Sequence, residues 1–262
     1  MKKDEQWLLE EKYGGVANES FAHDCDRLAK GEPVAYVIGW QPFLGLKIFL
    51  DSHPLIPRPE TEWWTEELLT GIGNRMRKVW PTEGRRSEDF LKTVSGFRFL
   101  DLCAGSGAIG CAALAQLPEA QVYFGEIDPA HEATILRNIR ENNLDESRAI
   151  IRIGNFFEPF GDMQFDIIAI NPPYIPSDRT LSASVADYEP AQALFAGSDG
   201  LALIRRIAHD LPTYLARGGE AWIECDSAHT AAACALFTNK GLHSEIRTDQ
   251  YGIPRFLVVS FH

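Results

Sequence analysis

From residue 97 onward, short apolar segments of strand length alternate with longer segments of helical pattern. The strand-like segments are residues 97–103, 121–127, 149–154, 165–171 and 220–225, followed by two more near 243–247 and 256–260. The helical segments are residues 108–117, 130–143, 201–211 and 229–240. Strands that alternate with helices favour a mostly parallel sheet covered on both faces. The pattern therefore predicts a doubly wound α/β fold, with its functional site beyond the carboxyl ends of the strands.

The residues before this alternation have a different character. Residues 1–32 carry apolar side chains at helical spacing, which predicts short helices, and residues 33–60 are apolar and β-branched, which predicts a β-hairpin. Thr61 is expected to cap a helix over about residues 62–76. The polar segment 77–96 is interpreted as a linker or variable loop. A loose basic cluster in and beside it is expected to be solvated: Arg75, Arg77, Lys78, Arg85 and Arg86.

The composition excludes several classes of protein. The chain of 262 residues has a formal net charge of −12, which argues against a protein that wraps duplex DNA and fits one acting on a neutral or basic partner. Its cysteines form no CxxC pair, so neither a zinc cluster nor a disulfide framework is indicated, and a reducing, cytoplasmic compartment is expected. No apolar run approaches the length of a membrane span, and no signal peptide is expected.

The first strand of the alternating region ends in a glycine turn, LDLCAGSGAIG. Gly105 and Gly107 lie between strand and helix, where the absence of a Cβ lets a ligand approach the backbone. Asp101 at the strand end would repel a phosphate, so a cofactor with a cationic end is favoured over a dinucleotide. S-adenosylmethionine, which carries an ammonium and a sulfonium, meets that condition. The alternative is a tight structural turn between strand and helix.

Polar groups at the next two strand ends suit the rest of such a cofactor. Glu126 follows Gly107 by about 20 residues, the spacing at which a carboxylate accepts ribose hydroxyls. Asp128 competes for this role, but Pro129 after it is more typical of a helix cap. Asn155 is expected to bond the adenine amino group and Phe156 to stack on the ring. A turn asparagine and a core phenylalanine remain the alternative.

The most specific feature is the sequence NPPY, residues 171–174, directly after an apolar strand. Two prolines remove backbone donors and leave carbonyl oxygens directed into the cleft. The side-chain carbonyl of Asn171 and the backbone carbonyl of Pro172 can accept both N–H bonds of a planar NH₂ group, and Tyr174 can stack on its plane. This arrangement predicts a methyl acceptor that is an amide or aromatic amine, held mainly by positioning.

Taken together, Asp101–Gly107, Glu126 and Asn171–Tyr174 resemble the amino-group class of S-adenosylmethionine-dependent methyltransferases. That class includes adenine-N6 DNA methyltransferases and glutamine-N5 protein methyltransferases. Three further segments resemble peptide chain release factor glutamine methyltransferases: residues 31–62, 188–207 and 249–259. The RPETE sequence at 58–62 favours this family over the related ribosomal-protein L3 glutamine methyltransferases. The similarity extends over about residues 25–260.

The resemblance implies an architecture and a reaction. A seven-stranded, mostly parallel sheet with its last strand inserted antiparallel is expected over about residues 97–260. Residues 1–32 would form a helical substrate-recognition region, 33–60 a hairpin linker and 61–262 the S-adenosylmethionine-binding catalytic domain. The implied substrate is the glutamine of a Gly-Gly-Gln tripeptide in a release factor. The enzyme is expected to be a cytoplasmic monomer without stable nucleic-acid or membrane binding.

The resemblance also implies roles for individual residues. The catalytic residues would be Asn171, Pro172 and Tyr174. The cofactor-binding residues would be Asp101, Cys103, Ala104, Gly105, Gly107, Glu126, Asn155, Phe156 and Asn171. The substrate-binding residues would be Asn171, Pro172, Pro173, Tyr174, Arg58 and Glu189, the last two as rim contacts. No metal and no catalytic histidine are expected, and His53 and His229 lie nearest the motifs.

Three positions depart from the family pattern. Cys103 stands where a glycine is frequent, and its backbone is expected not to need a positive φ. Asn155 replaces a common aspartate and Phe156 a frequent tryptophan, each keeping the required chemistry. Two other functions stay open: an adenine-N6 nucleic-acid methyltransferase, against which the net charge argues, and a non-enzymatic subunit, against which the intact NPPY argues.

Overall fold

The computed structural model of the chain describes residues 1–79 and 96–262. The predicted linker at 77–96 therefore lies almost wholly outside the described residues, as do Arg85 and Arg86 of its basic cluster. The side chain of Arg75 is exposed, and its guanidinium pairs with Glu220 at 2.5 Å.

Helices and strands occupy most of the described chain. The helices are α1 (Lys3–Tyr13), α2 (Glu19–Ala29), α3 (Val34–Ile38), α4 (Pro59–Val79), α5 (Ala108–Gln116), α6 (Ala130–Glu141), α7 (Ala183–Ala186), α8 (Ala202–Tyr214) and α9 (Thr230–Thr238). The strands are β1 (Trp40–Phe43), β2 (Leu46–Phe49), β3 (Arg98–Leu102), β4 (Gln121–Glu126), β5 (Ala149–Ile153), β6 (Phe165–Ile170), β7 (Leu215–Glu224), β8 (His243–Thr248) and β9 (Pro254–Ser260). None of the helices in these described ranges is both long and apolar enough to span a bilayer.

The main sheet confirms the predicted doubly wound architecture. Its seven strands lie in the order β5-β4-β3-β6-β7-β9-β8. Strands β3 to β7 pair in parallel, whereas β9 is inserted antiparallel between β7 and β8. The chain leaves β3 toward β4 on one side and returns on the other side as β6, so the order reverses at β3. Ligands of such sheets bind at this reversal, where the glycine turn and the NPPY sequence both emerge.

Apolar side chains on the two faces of the sheet form separate cores. Along β3, Phe99 packs on the face covered by α4, α5 and the hairpin, and Leu100 packs on the opposite face with α8 and α9. Both side chains are fully buried, as are Phe124 and Ile168 on the neighbouring strands. The continuous apolar runs of these strands follow from burial on both faces.

The segment predicted as a hairpin is only partly one. Strands β1 and β2 do pair antiparallel, through a two-residue turn in which Leu44 and Gly45 have φ values of 48° and 79°. Residues 34–38 instead form the short helix α3, which begins after Pro33 and ends at Gly39 in the left-handed conformation. Its β-branched residues were misleading because burial against α1, rather than intrinsic propensity, decides the local conformation.

Helix α4 begins earlier than the sequence predicted and runs to Val79 rather than Met76. Pro59 occupies its first position, where a missing backbone N–H costs nothing because that group has no partner within the helix. Thr61 therefore lies inside the first turn, and the prediction that it caps the helix is wrong. Its hydroxyl instead bonds a residue of β7, as described below.

Candidate active site

A cavity of about 320 Å³ lies beyond the carboxyl ends of β3, β4, β5 and β6. The loop at 190–195 and helix α8 form its opposite wall. The lining is mostly apolar with a few polar groups, which is typical of sites for small ligands. The predicted site residues that line it are Cys103, Gly105, Glu126, Asn155, Phe156, Asn171 and Pro173. The predicted site residues that do not line it are Asp101, Ala104, Gly107, Pro172, Tyr174, Arg58 and Glu189.

Glu126 is the acidic group that joins the glycine turn to the end of β4. One carboxylate oxygen accepts from the backbone N–H of Gly105 at 2.7 Å, and the other accepts from those of Ile127 and Asp128 at 2.8 and 2.9 Å. A carboxylate has about four acceptor positions, so these bonds leave capacity for a ligand hydroxyl. Asp128 lies just before α6, whose N-cap is Pro129, and its carboxylate accepts from the N–H of Ala130 at 2.9 Å.

The two glycines of the turn do different things. Gly105 lines the cavity, so a ligand can approach its backbone. Gly107 has a φ of 75° and precedes α5, and a Cβ there would lie 3.1 Å from the side chain of Ile135. Its need for glycine therefore comes from conformation and packing. Cys103 has a φ of 63°, so the expectation that its backbone avoids positive φ is wrong. A side chain in this region costs roughly 1–2 kcal/mol.

Asp101 is fully buried behind the turn rather than in the cavity wall. One carboxyl oxygen accepts from the N–H of Gly110 in the first turn of α5 at 2.8 Å, while the other has no partner among the described residues. Burial raises the pKa of Asp101 from 3.8 to about 8, against the lowering effect of that bond and with a contribution from Glu126. The geometry gives Asp101 a role in anchoring α5, and its predicted cofactor contact stays a prediction.

The raised pKa of Asp101 predicts a pH dependence of stability. A carboxyl whose folded-state pKa is raised contributes stability below its unfolded pKa, and this contribution is lost as pH rises through the folded value of about 8. Asp101→Asn cannot ionise. Its melting temperature should therefore rise relative to that of the wild type as the pH increases from about 5 to 9. Thermal unfolding of both proteins across this pH range checks the prediction. A difference in melting temperature that does not change with pH would contradict a raised pKa at Asp101.

Asn155 and Phe156 line the cavity, but Asn155 already has partners. Its side-chain oxygen accepts from Arg206 at 2.7 Å, and its amide nitrogen donates to Glu158 at 3.1 Å. The guanidinium of Arg206 also lies 4.8 Å from the centre of the Phe156 ring. Arg206, from α8, thus holds both residues, and sequence reasoning missed it. The predicted contact of Asn155 with an adenine remains a prediction.

The side chain of Asn171 lines the cavity on one side and is bonded on the other. Its amide nitrogen donates to the hydroxyl of Thr61 at 3.2 Å. The Tyr174 hydroxyl donates to Glu224 at 2.9 Å, so the ring is fixed outside the cavity wall. Pro172 is buried and Pro173 lines the cavity. The NPPY sequence is therefore held in place from behind by other parts of the chain.

Glu224, at the end of β7, is the residue that holds the NPPY sequence in place. The sequence analysis did not identify it. Only 1% of the residue is exposed. Its carboxylate accepts from Thr61 at 2.7 Å and from the Trp64 indole at 2.8 Å, in addition to Tyr174. Burial raises the pKa of Glu224, and these donors oppose that rise. The signal available in the sequence was an acidic residue at the carboxyl end of a buried strand.

Arg58 and Glu189, expected at the rim, pair with each other. The guanidinium of Arg58 lies 2.5 Å from the carboxylate of Glu189, which is 5% exposed and also accepts from the N–H of Ile56 at 3.3 Å. The pair ties the chain before α4 to the loop after NPPY. The predicted contact of Arg58 and Glu189 with a substrate stays a prediction.

The histidine that lines the cavity is His131 of α6, which the sequence did not single out. Its ring bonds the Ser52 hydroxyl at 2.8 Å. His53 is exposed and lies against Tyr36 at 4.6 Å, and His229 is outside the cavity wall. Neither of the two histidines expected nearest the motifs therefore lines the cavity, and the expectation of no catalytic histidine stays a prediction.

Comparison with known proteins adds independent information. Residues 88–198 match the family described as Methyltransferase small domain. A release factor glutamine methyltransferase of Geobacter sulfurreducens is 36% identical over 217 residues, which cover 82% of this chain and 68% of that protein. A bifunctional methyltransferase of Rickettsia felis is 29% identical, over 96% of this chain but only 50% of the relative, so the chain spans about half its length.

The fold is shared with solved methyltransferase structures. The catalytic domain of hMettl16, crystallised with a hairpin of the MAT2A 3′UTR, superposes with a TM-score of 0.59. The match covers 100% of this chain and 92% of that one, at 16% sequence identity. At this identity the comparison establishes the fold.

Proposed function

Because the chain belongs to the release factor glutamine methyltransferase family, we propose that it methylates the side-chain amide nitrogen, N5, of a release factor glutamine. The glutamine is that of the Gly-Gly-Gln motif, and the methyl donor is S-adenosylmethionine. One observation carries the proposal. Glu126, the acid predicted to bind the ribose, and Asn171, the amide predicted to bind the NH₂ group, line the same cavity of about 320 Å³.

The lining residues fit S-adenosylmethionine. The carboxylates of Glu126 and Asp128 lie in the cavity wall, where they favour a cofactor with cationic groups. The cavity also approaches the backbone at Gly105, Gly125 and Gly154. Glu126 would hold the ribose, and Asn155 and Phe156 would lie beside the adenine.

The chain supplies positioning for a weak nucleophile. S-adenosylmethionine supplies an electrophilic methyl group bound to a sulfonium. The side-chain carbonyl of Asn171 and the backbone carbonyl of Pro172 accept the two N–H bonds of the glutamine amide, and this contact directs the nitrogen lone pair at the methyl group. The Tyr174 hydroxyl donates to Glu224, and this bond would hold the NPPY backbone in place beside the amide. No strong base is required, because the nitrogen releases its proton to water after the transfer.

The partner is a protein rather than the free amino acid. We assign residues 1–32 to substrate recognition, 33–60 to a hairpin linker and 61–262 to catalysis. The net charge of −12 suits a substrate with a basic or neutral surface better than a polyphosphate. The remaining expectations are a monomer that acts in the cytoplasm without stable nucleic-acid binding.

Transfer of a tritiated methyl group tests the proposal. The purified chain should label a release factor and leave its Gln→Ala variant unlabelled. Free glutamine should be a poor substrate, because contacts remote from the amide supply the binding energy for orientation. Labelling of adenine in DNA without transfer to a release factor would overturn the assignment, as would efficient labelling of free glutamine alone.

A further inference from the structure

The bonds around Glu224 have a fixed direction. Thr61, Trp64 and Tyr174 all donate to the Glu224 carboxyl oxygens, and the Trp64 indole N–H can only donate. The Thr61 hydroxyl has one proton, which it donates to Glu224 at 2.7 Å. Its oxygen is then left to accept, and the group in position to donate is the amide nitrogen of Asn171 at 3.2 Å.

This direction determines which end of the Asn171 amide faces the cavity. With the nitrogen turned to Thr61, the carbonyl oxygen is the end directed away from it, and Asn171 lines the cavity. A flipped amide would place its oxygen against a hydroxyl whose proton is already used, so two acceptors would face each other. Such a buried, unpaired contact is unfavourable.

On this basis we propose that Thr61 and Glu224 are positioning residues, which orient the Asn171 amide so that its oxygen accepts from the substrate. The inference rests on the proposed function. Neither residue reaches a substrate directly, since Thr61 is 3% exposed and Glu224 is 1% exposed. Both act through Asn171, and Glu224 also acts through Tyr174.

The source of the two residues explains how the orientation is maintained. Thr61 lies in the first turn of α4. Arg58, just before this helix, forms an ion pair with Glu189. Glu224 ends β7, next to β6, from which the NPPY sequence emerges. Trp64, one turn after Thr61 on the same helix, also bonds Glu224, so α4 contacts the carboxylate twice. The first turn of α4 therefore helps to hold Asn171, the residue proposed to bind the glutamine that accepts the methyl group.

The test compares Thr61→Val with Thr61→Ser in methyl transfer to a release factor. Valine keeps the shape but removes the hydroxyl, so kcat should fall by about 10-fold, the order expected for one lost hydrogen bond. The dissociation constant for S-adenosylmethionine should change by less than about twofold, because Glu126 and the glycine turn are untouched. Serine retains the hydroxyl and should restore most of the lost kcat.

A double-variant cycle separates this role from a structural one. If Thr61 acts through Asn171, Thr61→Val should lower kcat much less in an Asn171→Ala background than in the wild type. Full additivity in this cycle would overturn the proposal, and so would a wild-type kcat in Thr61→Val. Equal activity of the serine and valine variants would also overturn it. Glu224→Gln is the matched control, because its carbonyl oxygen can still accept from Thr61 and Trp64 while its amide nitrogen turns to the Tyr174 hydroxyl; kcat should fall much less than in Thr61→Val.

These outcomes are distinct from a failure of the proposed function. An inactive wild-type chain would refute the assignment of the substrate before any variant is compared. If Thr61→Val lowers the melting temperature too far for assay, Thr61→Ala, which also removes the hydroxyl, is compared with Thr61→Ser. An unchanged kcat in Thr61→Ala would then count against the positioning role.

Discussion

Asn171→Ala should reduce kcat for methyl transfer to a release factor by about 100-fold or more, with little change in cofactor affinity. Alanine removes the side-chain carbonyl that accepts from the glutamine amide and so leaves the nitrogen free to rotate. Asn171 lines the cavity, but its amide nitrogen is engaged by Thr61 rather than by groups that hold the cofactor. Single-turnover measurement of methyl transfer, together with calorimetric binding of S-adenosylmethionine, separates the two effects.

Asn171→Asp is the matched variant. It keeps an oxygen toward the cavity but replaces the nitrogen that donates to Thr61 with a second acceptor. Its activity should also fall, because the carboxylate loses that bond and adds a charge beside the substrate amide. Turnover at the wild-type rate in Asn171→Ala would exclude the proposed role of this side chain.

The second large effect is expected at Glu126. Glu126→Ala should weaken S-adenosylmethionine binding by roughly 1.5–3 kcal/mol, the range for a hydrogen bond to a charged group. In the protein the same carboxylate also accepts three backbone N–H groups, so alanine leaves these unpaired as well. Isothermal titration gives the change in affinity, and thermal unfolding without cofactor gives the structural cost.

Two further variants separate the loss of cofactor affinity from the loss of protein stability. Glu126→Gln keeps a carbonyl acceptor but removes the charge, so it should lose less stability than alanine while still weakening the cofactor. Glu141→Ala removes an exposed acid at the end of α6 and should leave affinity unchanged, although it alters the net charge equally. If Glu126→Ala binds S-adenosylmethionine as tightly as the wild type, Asp128 or another group holds the ribose.

Much of the fold was predictable because it depends on local patterns. The apolar runs of β3, β4 and β6 are buried on both faces, so they appear in the sequence as continuous strand signals. The position of the glycine turn and of NPPY at neighbouring strand ends followed from the same alternation. The antiparallel insertion of β9 came instead from the family resemblance, since no local pattern distinguishes it.

The parts that were missed depend on contacts between distant positions. Thr61 and Glu224 are 163 residues apart in sequence, and nothing local indicates that they meet. Arg206 likewise bonds Asn155 from 51 residues away. The positive φ of Cys103 arises because the turn approaches the end of β4, where the neighbouring Ala104 donates to Gly125 at 3.1 Å. Such positions are set by tertiary structure, which overrides the preferences of single residues.

The place of β9 has a consequence for how the chain acquires its structure during synthesis. This strand is the last of the sheet to leave the ribosome, yet it lies in the interior, between β7 and β8. Until it arrives, β7 presents an open edge and β8 has no neighbour to join it to the sheet. Unpaired edges of this kind promote association with other chains. The nascent chain should therefore be most prone to aggregation after β8 has emerged and before β9 has taken its place between β7 and β8.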